Sequence, residues 1–200
     1  KEKQWQLYRE IRAYIEQNLD DIILHPNPLS QLTRLRQATG DPAIISDTIK
    51  DSAKLDRMEE LVSEITKDGG KVLIYSIWAE MVKSAAKRLE GYKPLTIYGE
   101  IDAAERQRSA DKFQDDPECK VMIGTIGAMG TGLTLTAANT VIFLDKPWNP
   151  ANMEQAEDRV HRIGTTRSVN IITLVAKDTI DERIEELLEA KDVLSLPMRN

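Results

Sequence analysis

The spacing of apolar positions changes once along this chain, near residue 70. Before it, they recur at helical intervals: Trp5, Leu7, Tyr8, Ile11 and Ile15 form one stripe, and Leu55, Met58, Leu61, Val62 and Ile65 another. Pro26 and Pro28 break the first region, because proline lacks an N–H donor and biases the preceding residue away from helix. Further helical spacing runs over 30–37, ending near Gly40 and Pro42, and over 52–67, where Gly69 and Gly70 supply the stop. Beyond Gly70, short apolar runs predict strands at 71–76, 94–98, 120–124, 140–145 and 168–175, with helices at 79–89, 103–113, 151–162 and 179–194. Such alternation implies an α/β fold with a mostly parallel sheet covered on both faces. The expected organisation is a helical segment over 1–68, the sheet domain over 69–176, and a closing helix and tail over 177–200. Ligands of such sheets sit in the loops after the carboxyl ends of the strands.

Composition narrows the class. With 200 residues, 41% hydrophobic and 30% charged, the chain is neither a disordered tail nor a membrane protein. No wholly apolar stretch exceeds four residues, as at Val141 to Leu144, against about 20 for a spanning helix. No basic-then-apolar leader opens the sequence. A lone cysteine, Cys119, leaves no internal disulfide framework and no cysteine zinc site, and His25 and His161 stand far apart, so no metal site is expected. The cysteine usage fits an intracellular, reducing compartment: cytoplasm, or nucleus in a eukaryote. Basic residues number 27 against 33 acidic, for a net charge of −6. That argues against nucleic-acid binding by bulk charge, while leaving room for a local basic strip.

The loops carry the chemistry. There is no G-x-x-x-x-G-K-[ST] phosphate loop and no strand ending in paired carboxylates for magnesium, so the chain by itself is not expected to hydrolyse nucleotides. Gly127, Gly130 and Gly132 follow a strand, as dinucleotide-binding turns do. Yet only residues 133–139 separate that turn from the next strand, too few for a crossover of about ten or more residues. A nicotinamide-dependent oxidoreductase is disfavoured on that ground. Gln155, Arg159 and Arg162 stand at i, i+4 and i+7, so a helix would put an amide and two guanidiniums on one face, a planar-donor array suited to phosphate oxygens. The same residues also read as a solvated face, with Glu154 and Asp158 as ion-pair partners.

The order of motifs around these residues resembles the Swi/Snf-type branch of superfamily-two helicase-like ATPases, in its carboxyl-terminal RecA-like lobe. Gly130-Thr-Gly-Leu-Thr-Leu-Thr136, then Asp145, then Trp148-Asn-Pro150, then Gln155 through His161, Arg162 and Gly164 are similar to its motifs V and VI. Residues 71–76 with Trp78 resemble motif IV, and Tyr98-Gly99 followed by Arg106 and Phe113 the segment after it. Upstream, Leu35-Arg36-Gln37 with Pro42 resembles an L-R-Q-x-x-x-x-P element, and Ser52 to Leu55 an S-x-K-L element. The chain departs from the pattern at Thr165, where glutamine is usual, at Gly127 and Met129, and over residues 38–41.

The resemblance implies a three-layer lobe that faces an amino-terminal RecA-like lobe across a nucleotide cleft. ATP with Mg2+ would be bound mainly by that other lobe, which this chain lacks. Arg159 and Arg162 would serve as arginine fingers with Gln155 positioning them, and Gly130, Gly132 and Asp145 would line the nucleotide side. Ser76, Trp78, Gly99, Arg106 and Thr125 would face double-stranded DNA. Core packing for Trp78 and Trp148, and pairing of Arg106 with Asp102 or Glu105, are the alternatives for those residues. His161 reads equally as a packing and a catalytic group. The family implies a translocase that remodels a DNA-bound protein target, with no membrane partner; an inert scaffold that keeps the lobe fold is the rival.

Overall fold

The computed structural model describes residues 1–24, 27, 29–129, 132–147 and 168–195. Among them, β1 (Val72–Ser76) lies between β3 (Val121–Thr125) and β4 (Thr140–Phe143), with β2 (Leu95–Ile97) and β5 (Asn170–Thr173) at the edges, in the order β2-β3-β1-β4-β5. Every described pairing is parallel. β1 is buried at all five positions because neighbours flank it and helices cover both faces, which is why it reads as a continuous apolar run.

The two faces separate by the two-residue period of a strand. On one, Leu73, Tyr75, Met122, Val141 and Phe143 pack with Ala110 and Phe113 of α6 (Ala103–Asp115). On the other, Val72, Ile74, Val121, Ile123 and Ile142 pack with α4 (Ala53–Lys67) and α5 (Ala79–Arg88), through Leu55, Met58, Leu61 and Val62 of the former and Met81, Val82 and Ala85 of the latter. The α4 helix therefore belongs to the sheet's own layer. Ser52 starts it as N-cap, accepting from the Leu55 N–H at 3.1 Å.

The first helical region comprises α1 (Glu2–Gln17), α2 (Leu19–Leu24) and α3 (Ser30–Gly40). Tyr8 of α1 packs with Leu35 and Ala38 of α3, and its hydroxyl accepts the N–H of Ile180 at 2.8 Å, which ties α1 to the start of α8 (Ile180–Ser195). A single-turn helix, α7 (Ile126–Met129), follows β3; four residues carry no stripe from which the pattern could foretell it. At the β5 edge the strand is shorter than the expected 168–175. Leu174 still donates to Phe143, but the Ala176 N–H turns away to Asp181 at 3.0 Å. The helix expected at 151–162 lies outside the described residues.

Gly124 sets how closely β2 approaches β3: a Cβ there would stand 2.5 Å from the carbonyl oxygen of Ile97. Backbone cannot yield as a flexible side chain can. Gly124→Val is expected to lower stability by about 1–3 kcal/mol, read as a drop in the urea midpoint at constant m-value.

Candidate nucleotide and DNA edge of the lobe

A parallel sheet brings the carboxyl ends of its strands to one edge, and the candidate residues gather there. Ser76 ends β1 in register with Thr125 at the end of β3. Gly99 lies in the exposed turn after β2, whose Ile97 pairs with Gly124, and Asp145 lies just past β4. Ser76, Thr125, Gly99 and Asp145 thus share an edge despite their separation in sequence. Exposure divides them: Gly99 is exposed and Thr125 half-buried, whereas Ser76 and Asp145 are buried.

Ser76 and Asp145 bond to each other. The Ser76 hydroxyl donates to Asp145 Oδ2 at 2.7 Å and accepts from the Trp78 N–H at 3.1 Å; Asp145 Oδ1 accepts from the Ile77 N–H at 2.6 Å. Loss of solvation pushes the Asp145 carboxyl above its ordinary range, opposed by Lys54, the Ile77 and Ser76 donors and Arg36. Both oxygens are engaged in clamping the end of β4 to the end of β1. Arg106 does not use Asp102 or Glu105: its Nε donates to the carbonyl of Ile101 at 2.7 Å and its Nη2 to that of Gly99 at 3.0 Å, which staples the turn. Trp78 is half-buried, with the Arg36 guanidinium 5.0 Å over its ring. Gly132 adopts φ +73° in the turn before β4, a conformation that favours glycine. Gly130, Gln155, Arg159 and Arg162, with Trp148 and His161, lie outside the described residues.

Sequence reasoning assigned no role to three buried charges beside this edge. Arg36 donates to the carbonyl of Lys146, and burial pulls its pKa below the usual guanidinium value. Lys54 donates to the carbonyl of Leu144 at 2.8 Å and lies 2.5 Å from Asp181, the pair 5% and 8% exposed. Asp181 also accepts from Thr39 at 3.1 Å. The signal for Arg36 and Lys54 was the L-R-Q and S-x-K-L elements, which place a charge among apolar neighbours; Asp181 had none, since an acid in a first helical turn is commonplace.

A RecA-like lobe is the class that this sheet order, helical cover and strand-end edge define. Residues 53–164 match the helicase conserved C-terminal domain, and the chain belongs to that family, in its Swi/Snf-type branch. It is 40% identical over 145 residues to the chromatin-remodeling ATPase INO80 of Cryptococcus neoformans, which covers 72% of this chain and 8% of that protein's length. The Sulfolobus solfataricus SWI2/SNF2 ATPase core domain superposes with a TM-score of 0.84 at 30% identity, over 100% of this chain and 42% of that one. The same core in complex with double-stranded DNA superposes with a TM-score of 0.79, also at 30% identity, over 94% and 42%.

Proposed function

We propose that this chain is the second motor lobe of an ATP-dependent, DNA-stimulated translocase. In this reading Arg159 and Arg162 reach the terminal phosphate when the cleft closes, and Gln155 positions them. Gly130 and Gly132 allow backbone N–H groups to approach the phosphates closely. ATP supplies a phosphoryl group whose oxygens gain charge during transfer, the point at which an arginine from across an interface acts. Among the described residues no group of three or more acids, histidines or cysteines is placed to hold a metal ion, and Asp145 gives one oxygen each to Ser76 and Ile77. In this reading Mg2+ and most of the nucleotide are bound by the amino-terminal lobe.

Gly99, Thr125 and the turn stapled by Arg106 form the side offered to duplex DNA, with Ser76 and Trp78 setting the loop beneath. Contacts from short polar groups and backbone amides suit a chain of net charge −6, whose bulk charge does not attract DNA. A DNA-bound protein is the proposed target of the movement. The observation that carries this reading is the gathering of Ser76, Gly99, Thr125 and Asp145 at one strand-end edge, in a chain whose family match runs through Arg159 and Arg162.

The test compares two proteins. This chain alone is expected to show no ATP turnover, and the chain joined to its amino-terminal lobe turnover that rises on adding duplex DNA. No turnover by the joined protein would instead favour an inert scaffold, and turnover that ignores DNA would overturn the DNA-stimulated reading.

A further inference from the structure

We propose that α8 governs the arginine-bearing segment through a buried charge network, with Asp181 and Glu185 as positioning residues for the chemistry; this rests on the finger reading above. Three residues, Leu144 to Lys146, lead out of β4 toward the segment that holds Arg159 and Arg162. Each is gripped from outside its own strand. Lys54 holds the Leu144 carbonyl, Ser76 and Ile77 hold the Asp145 carboxylate, and Arg36 holds the Lys146 carbonyl.

The α8 helix closes this grip. Asp181 and Glu185 are four residues apart, on one helical face. Asp181 meets Lys54 Nζ at 2.5 Å, and Glu185 meets Lys146 Nζ at 3.3 Å. Arg36, Lys54 and Lys146 thus face Asp145, Asp181 and Glu185 around a cavity of about 10 Å3, space for roughly one water. The charges balance only while α8 is docked, because it brings two of the three anions. A buried ammonium that loses its partner seeks another. For Lys54 the remaining acid is Asp145, whose carboxylate already feels its charge. Drawn toward Lys54, that carboxylate releases Ser76 and Ile77, and the exit from β4 is reset. Whatever displaces α8 therefore tunes turnover without touching the nucleotide.

The test uses the full-length protein carrying Asp181→Asn with Glu185→Gln, which keep shape and remove charge, and separately Lys54→Met, with Arg159→Ala alongside. Turnover at saturating DNA, KM for ATP, the urea midpoint and amide exchange at Leu144 to Lys146 are measured. The acid variants are expected to lose about 10- to 100-fold in kcat, the scale of a small misplacement of reacting groups, with KM for ATP little changed. Exchange at Leu144 to Lys146 should quicken while that of β2 and β3 stays as it was. Adding Lys54→Met to the acid pair should cost less than the product of the separate losses, because the groups act as one unit. Unchanged kcat and exchange in the acid variants, beside an inert Arg159→Ala, overturn the proposal and leave the finger reading standing. Faster exchange throughout the sheet overturns it too, as simple loss of stability. Normal turnover by Arg159→Ala overturns the finger reading and this proposal with it.

Discussion

Alanine in place of Arg159 or Arg162, in a protein that carries both lobes, is expected to lower kcat by about 10³- to 10⁵-fold. The reason is where charge develops. Phosphoryl transfer moves negative charge onto oxygens that a guanidinium can meet with two parallel N–H donors, and across a closing cleft that contact forms only near the transition state. The loss should therefore appear in kcat at saturating ATP, with KM, DNA affinity and thermal midpoint close to the parent's. Lysine at either position should restore little, since a point charge lacks the planar fork. The check is steady-state hydrolysis with DNA in excess. Parent-like turnover in both alanine variants would return these arginines to the solvated face that Glu154 and Asp158 also suggest.

Asp145→Ala is expected to cost about 3–5 kcal/mol, the scale of breaking a buried charge arrangement. The substitution strands the Ser76 hydroxyl and the Ile77 N–H, now held at 2.7 and 2.6 Å, and removes a countercharge from Lys54 and Arg36. Asp145→Asn keeps one acceptor and should cost less, about 1–3 kcal/mol. Urea midpoints of this chain and its two variants measure both. A group that served only the nucleotide would leave the midpoint alone and lower turnover instead, so the pair of measurements separates the clamp from a cofactor contact. There is a pH signature as well. Burial raises the Asp145 carboxyl above its ordinary 3.8, so between that value and the folded one the folded chain keeps a proton that the unfolded chain has lost, and above both it is a carboxylate. Stability from this group is full below about 3.8 and declines as pH rises through the folded value. In Asp145→Asn that decline should vanish.

The strands were legible because a central parallel strand must be apolar on both faces, and the run Val72 to Tyr75 says so directly. The α4 stripe was equally plain, although its place against the sheet was not: helical spacing shows that a face is buried and leaves open against what. Ser76 and Asp145 entered the reading as a DNA contact and a nucleotide contact, whereas folded together they bond to each other. A side chain's type gives its chemistry, but 69 positions of separation conceal its partner.

The sequence by itself determined the α/β class and the family, since these depend on local periodicity and on motifs whose order survives in one dimension. Only the tertiary structure decided which charges neutralise one another. Lys54 and Asp181 come from distant stretches, and a buried ion keeps its charge only if folding delivers a partner within bonding distance. That pairing is a property of the closed sheet and its docked helix, and no stretch of the chain contains it alone.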